Sequence, residues 1–307
     1  MRNLIPPPPA QGTRYSLMAA APVLTDAVRW QRGVKWVPLP CGPGESGAAR
    51  CNDVGMERTA DHREGERGSD PFYIWASDDC DAFGDLSQPT PEARVRAQLE
   101  LVQSFHIARE FWAGAITKGV HPGDQVDPDE ADADVAARSP YLADEVTEIL
   151  DPSPSESNES YKVAESLGYL EQAALSCSAG RRIMLHVPVL ALALLDNAGA
   201  IHLDTGGIIT TAMGSIVAAD AGYPGSGPDN AASHGGELWL YASTVPTIRV
   251  DKIDPPELAG DDGQTFDTAT NDRVRIAQRL ALYQLDDCCR FAIPTGITAP
   301  AFMAAGS

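Results

Sequence analysis

Apolar residues recur at steps of three and four from Val95 through Leu99, Val102 and Phe105 or His106 to Trp112, with Arg94, Gln98, Gln103 and Glu110 on other faces. That spacing predicts one long amphipathic helix. Its ends are marked locally. Thr90 suits the cap, and Pro91 suits the first turn, where a missing N–H costs nothing. Gly114 can take the left-handed conformation that closes a helix. The predicted helix therefore runs from Pro91 to Ala113. A second helical pattern spans Tyr161 to Ser176 through Val163, Leu167, Leu170 and Ala174, and Gly180 stops it. Arg182 to Val187 reads as a strand. Pro188 then opens a helix over Val189 to Asn197, which Gly199 closes.

Elsewhere the pattern is that of strands and turns. Gly33 to Pro38 and Phe72 to Trp75 are short strand signals, separated by a polar excursion, Gly42 to Asp70, with almost no aliphatic residues. A loop of that composition cannot build its own core and needs a neighbour to lie on. Ile208 to Thr211 and Ser215 to Val217 are strand-like, broken by Gly214. Ala221 to Pro228 is a turn cluster suited to a domain tip. Leu238 to Tyr241, Thr247 to Ile253, Arg273 to Leu285 and Arg290 to Ile293 carry antiparallel strand signals. The mixture is an α+β chain without internal repeats.

Composition narrows the function classes. The 307 residues suffice for one large or two modest domains. A formal net charge of −20 repels nucleic acid at long range and argues against a surface that grips phosphates. No apolar run reaches bilayer-spanning length, and MRNLIPPPPAQG lacks the apolar core of a signal peptide, so a soluble protein without a membrane partner is expected. The proline run favours an extended, polyproline-like arm. His121 to Ser160 is acidic and punctuated by proline, and reads as a solvated loop or insertion. Its Asp127, Asp129, Glu130, Asp132 and Asp134 lack the glycine that a calcium loop requires.

Candidate chemistry is sparse. Cys41, Cys51, His62 and Cys80 have no C-x-x-C pair and match no common zinc spacing, so no metal and no cofactor are expected. Reduced thiols are the expectation for all six cysteines. Leu203-Asp204-Thr205-Gly206-Gly207 resembles the catalytic turn of aspartic proteases, but a single-chain protease needs a second copy and none is present. A turn before a strand is the favoured reading. His186, in an apolar strand, reads as a satisfied core or edge histidine. Nucleophile-elbow, phosphate-loop and zinc-protease motifs are absent, so no catalytic residue is assigned and the chain is read as a non-enzyme.

Taken in order, these elements resemble the major capsid proteins of tailed bacteriophages, the HK97-like fold shared with encapsulins. The resemblance rests on a short arm, a long extended loop, a long helix closing Glu110-Phe111-Trp112-Ala113-Gly114, and the run from Arg182 to Asp220. There Ile183 to His186 resembles a strand and Leu195-Asp196-Asn197-Ala198-Gly199 the family's turn. Met213-Gly214-Ser215-Ile216-Val217 carries Ser215-Ile216 where Pro-Val is usual. The resemblance implies an arm over 1–30, an extended loop over 31–84, and a peripheral domain over 85–160 with the spine helix and acidic insertion. It further implies an apical domain over 161–237 and returning strands with a C-terminal tail over 238–307.

The function so implied is a structural subunit that self-assembles into an icosahedral shell around double-stranded DNA, made in the host cytoplasm and resident in the virion. Its implied partners are copies of itself in hexamers and pentamers, a portal, and a separate scaffolding or decoration protein. Packaged DNA would be held without sequence-specific binding. The alternatives are an encapsulin-type compartment, another phage structural protein such as a tail-tube or neck component, or an aspartic-protease-like enzyme. Trp30, Trp36, Phe72, Tyr73, Trp75 and Phe83 are candidate subunit-contact residues, because interface energy concentrates on aromatic anchors. No lysine lies between Val37 and Thr117, so the isopeptide cross-link from a loop lysine, known in some of these proteins, is not expected.

Overall fold

The computed structural model describes residues 14–25, 30–31, 33–36, 67–79, 91–116, 139–150, 161–204, 207–233, 236–254, 264–267, 272–286 and 289–297. The proline run, the Thr90 cap, most of the polar excursion, Cys41, Cys51, Cys80, Phe83 and the acidic stretch at 127–134 lie outside the described residues.

Helix α2 (Pro91–Ala113) has the bounds that its local signals set, and Gly114 follows it at φ +59°. A Cβ at Gly114 would sit 2.6 Å from the Tyr141 ring, so packing as well as backbone conformation demands glycine there. The short helix α1 (Leu17–Ala20), capped by Ser16, packs on α2. Helix α3 (Val163–Ser178) begins and ends two residues later than the periodicity indicates. Ala179 takes the left-handed turn ahead of Gly180. Helix α4 spans Val189–Asn197, as its flanking Pro188 and Gly199 specify.

Two main sheets flank α2. The first contains β1 (Val23–Leu24), β4 (Phe72–Asp79), β12 (Thr247–Val250), β13 (Gln264–Asp267) and the long β14 (Asp272–Gln284). Strand β14 pairs antiparallel with β12, β13 and β4, placing Phe72 opposite Ala281 and Trp75 opposite Gln278. A two-stranded ribbon, β2 (Val34–Trp36) with β3 (Arg67–Ser69), stands beside it. The two strand signals on either side of the polar excursion are therefore not each other's partners. Each pairs elsewhere.

The second sheet has the order β5-β15-β11-β7-β10-β9-β8: Glu148–Ile149, Phe291–Gly296, Glu237–Thr244, Ile183–Pro188, Ile216–Asp220, Ile209–Thr211 and Ile201–Leu203. Strand β6 (Tyr161–Lys162) also pairs with β15. The sheet thus draws on both the 161–237 and the 238–307 stretches. Strand β7 lies between β10 and β11 and is buried at all six positions, as a central strand covered on both faces must be. One face, with Ile183, Leu185, Val187, Val217 and Leu240, packs on α3 and α4. The other, with Met184, Ala218 and Tyr241, shares a core with α2 and the inner face of the first sheet.

Two sequence expectations are corrected. Pro140, Tyr141, Leu142 and Ala143, inside the stretch read as a solvated loop, are buried, because this irregular segment, with a turn at Leu142 and Ala143, crosses the end of α2. Cys177 and Cys289 form a disulfide across 112 residues of sequence, where reduced thiols were expected. It ties the end of α3 to the segment entering β15.

Candidate functional site

The C-terminal end of α2 is where most of the molecule converges. A helix leaves its last carbonyls without intrahelical partners, and a buried end must find others. Here Gly114 N donates to Glu110 O at 2.7 Å, Leu142 N to Phe111 O at 3.0 Å and Ala143 N to Trp112 O at 2.8 Å. Asn230 Nδ2 donates to Ala113 O at 3.0 Å. The Glu110 side chain, assigned to another face by periodicity, is buried, and its Oε2 accepts from Ile116 N at 2.7 Å. The Arg290 guanidinium donates to Tyr141 O and lies 3.6 Å from Asp144, fixing the crossing segment from the β15 side.

Aromatic rings fill the space beneath. Trp112 packs on Tyr223 and Tyr241 with centroids 4.9 and 4.6 Å away, and its Nε1 donates to Ser226 O at 3.2 Å. Tyr241 Oη donates to the same carbonyl at 3.1 Å. Both therefore anchor the turn cluster at 221–228. Gly222 lies against α2 so closely that a Cβ would overlap the Phe105 carbonyl oxygen and come within 2.9 Å of Ala108 Cβ.

Among the described residues one histidine is buried, and it sits here in a polar trio. His186 Nδ1 is 3.0 Å from Tyr223 Oη, and Nε2 is 2.8 Å from Ser243 Oγ. Ser243 Oγ donates to Thr244 O at 2.8 Å, so it accepts from His186 Nε2–H, while Tyr223 donates to Nδ1. A nucleophilic serine needs the opposite polarity, with the imidazole accepting its proton. The trio is buried throughout. Desolvation lowers the His186 pKa to about 3, so it is neutral in the fold. Desolvation, followed by the negative charge of Asp220, raises the Tyr223 phenol and keeps it a donor.

Asp220 accepts from Leu17 N at 3.2 Å, Gly222 N at 2.9 Å and Ser104 Oγ at 3.3 Å, clamping α1, the turn and α2 together. Burial raises its pKa, and those hydrogen bonds oppose the rise. Asp204, from the protease-like fragment, is exposed in the turn between β8 and β9, where Gly207 N donates to its carbonyl at 3.1 Å. Thr205 and Gly206 lie outside the described residues. Among the described residues no group of three or more His, Cys, Asp or Glu gathers as a metal site, and no helix is long and apolar enough to cross a membrane.

The outward surface is the other candidate. Alternation along β4 buries Phe72, Ile74 and Ala76 against α2 and turns Tyr73 and Trp75 outward, 59% and 62% exposed. Phe72 stacks edge-on against Tyr283 at 6.3 Å. Trp30, 1% exposed, covers Leu280 and Leu282 on the outer face of the sheet. Trp36 is half-buried. Of the six aromatics singled out in the sequence, Trp30 and Phe72 thus belong to this chain's own core, while Tyr73 and Trp75 present exposed area. A second outward apolar group, Val189 and Leu190, opens α4, with Leu203 and Met213 exposed near the hairpin edge of the same sheet.

The roles of Glu110, Asp220 and the 140–143 segment were not read from the sequence. The one usable signal was Tyr141-Leu142-Ala143, an apolar triplet inside an acidic stretch.

No family model and no curated protein sequence matches the chain. Solved structures do. The capsid of Ralstonia phage GP4 superposes with a TM-score of 0.54 at 9% identity, covering 98% of this chain and 96% of that one. The capsid of an empty GTA particle gives 0.49 at 12% identity, covering 96% and 92%. A virus-like particle from Pyrococcus furiosus gives 0.46 at 9% identity, covering 91% and 92%. The fold assignment rests on the first of these together with the element order above. The chain has the HK97-like fold of phage capsid proteins.

Proposed function

We propose that this chain is the major capsid protein of a tailed phage, a subunit that assembles through hexamers and pentamers into an icosahedral shell enclosing double-stranded DNA. One observation carries the reading: likeness to the capsid of Ralstonia phage GP4 extends over 98% of this chain and 96% of that one. The division into arm (1–30), extended loop (31–84), peripheral domain with spine helix α2 (85–160), apical domain (161–237) and returning strands (238–307) belongs to this proposal. Among the described members of the aromatic set, Tyr73 and Trp75 offer the most exposed contact area to a neighbour. A net charge of −20 suits a wall against which packaged DNA slides, since each neutralised phosphate would tighten binding. A portal and a scaffolding or decoration protein complete the proposed set of partners, with the virion as destination.

The test is electron microscopy of the purified full-length protein, followed by nuclease treatment of particles isolated from their source. Closed icosahedral shells with nuclease-protected DNA support the proposal. Shells holding protein cargo and no genome would instead identify an encapsulin-type compartment. A stable monomer at high concentration would refute both.

A further inference from the structure

Between Gln284, the last residue of β14, and Phe291, the first of β15, the chain passes from the first sheet to the second. The described residues of this crossover are tied to the rest of the fold. Arg181, just past the end of α3, lies 3.3 Å from Asp286, and Thr244 Oγ1 donates to Asp286 O at 3.1 Å. Cys289 is bonded to Cys177 in the last turn of α3. Its backbone has φ +63°, the left-handed region that a residue with a Cβ occupies only at a cost.

Cys289 and Arg290 serve opposite faces of the second sheet. Cys289 belongs to the core under α3. The buried Arg290 donates to Tyr141 O and lies beside Asp144 at the end of α2, and its own carbonyl accepts from Glu148 N at 3.2 Å. The backbone that the disulfide holds on one face thus carries, one residue on, the anchor of the 140–143 segment on the other. Of the two sulfur-bearing residues Cys289 is buried, whereas Cys177 is half-buried and flanked by the exposed Ser176, Ala179 and Gly180. A small reagent can therefore reach the bond from the end of α3.

We propose that Cys177 and Cys289 form a redox latch whose closure fixes Arg290 and, through it, the segment that completes the end of α2. The latch belongs to the fold and operates whether or not copies of the chain assemble. Closure takes a small-molecule disulfide, such as oxidised glutathione, as the electron acceptor. The more accessible Cys177 thiolate attacks one glutathione sulfur and expels a thiolate; the Cys289 thiolate then attacks Cys177 Sγ and expels the second. The protein gives up two electrons and two protons, and two molecules of reduced glutathione form. Excess thiol reverses the exchange. With the bond open, Cys289 loses the tie that offsets its left-handed backbone, and Arg290 loosens with it.

The test is hydrogen exchange read by mass spectrometry on the full-length chain under native conditions, oxidised and after treatment with a phosphine reductant. Reduction should speed exchange over residues 141–150 at least about tenfold, the weight of one charged hydrogen bond lost from a local opening, while β7 keeps its rate. Oxidised glutathione should restore the slow rate, with Cys177 linked to Cys289 in the peptide map. Cys177→Ser should exchange at the fast rate with or without reductant, and the reductant series on the unsubstituted chain decides the matter alone where that variant does not fold. Equal exchange over 141–150 in both states, acceleration confined to residues 175–181, or acceleration that includes β7 overturns the proposal. So does a bond that the phosphine opens only in denaturant, or linkage of Cys177 to Cys288.

Discussion

Lowering the pH from 7 to 5 should destabilise the subunit through His186, and His186→Gln should remove that sensitivity. The imidazole is fully buried with both nitrogens engaged, and burial lowers its pKa from 6.5 to about 3. Between those values the unfolded chain binds a proton that the native fold refuses. Stability from this group is therefore fully present above pH 6.5 and falls as pH drops towards 3. At ~1.36 kcal/mol per pH unit the loss reaches about 2 kcal/mol at pH 5. Asp220 has the opposite sign, because its raised pKa favours the fold at low pH and costs stability as pH rises through that value. Its effect is shared by both proteins. His106, lowered by partial burial and then by Arg109, is also common to both. Urea denaturation of unassembled subunit at pH 7, 6 and 5, followed by far-ultraviolet circular dichroism, gives the slopes. The variant should be less stable at pH 7, yet lose about 2 kcal/mol less than the parent on going to pH 5. Parallel pH profiles for the two proteins would refute the reasoning.

Adjacent residues of β4 should separate folding from assembly: Ile74→Ala should cost about 3 kcal/mol of subunit stability, whereas Trp75→Ala should change it by under about 0.5 kcal/mol and raise the concentration needed for assembly. Denaturant melts and light scattering on the same preparations read the two effects. Gly222→Ala should lower stability by about 1–3 kcal/mol, because its Cβ has to displace α2 at Phe105 and Ala108, and a thermal melt measures this. Cys177→Ser should lower the thermal midpoint under oxidising conditions, with an upper bound of about 4–5 kcal/mol for closing a loop of this length. A reducing agent should bring the parent down to the variant's midpoint.

What the sequence disclosed follows from the range of each interaction. Helices α2 and α4 were legible to the residue because their start and stop signals are adjacent to the helices themselves. Strand existence was legible for β7, β11 and β14, but pairing was not. Strand β4 finds β14 about two hundred residues later, and only a closed fold brings them together. The face of β4 was ambiguous for another reason. Phe72, Tyr73, Ile74 and Trp75 are all apolar, so alternation gives no inside and outside, and the phenol and indole alone lean towards water. The burial of 140–143 was hidden because backbone amides answering helix carbonyls, which any sequence can supply, do much of the docking. Cys177 and Cys289 carry no spacing motif, since their proximity is created by α3 lying across β15.

The convergence at the end of α2 bears on how a shell could use this subunit. Phe111 contacts His186 of one sheet at 5.2 Å and Tyr283 of the other at 5.1 Å, so a single helix residue belongs to both halves. The carbonyls around it are bonded to the 140–143 segment and to Asn230, and Asp220 holds α1 to the same place. A hinge between the sheets would have to break several buried hydrogen bonds at once, each leaving an unsatisfied group worth about 1–3 kcal/mol. That is more than a weak contact between neighbouring subunits repays. Subunits in differently curved parts of a closed shell would therefore keep this body rigid and adjust at its outward surfaces. Tyr73 and Trp75 suit such adjustment, because stacking on a ring face fixes no single register for its partner, in contrast to the paired amides that lock the end of α2.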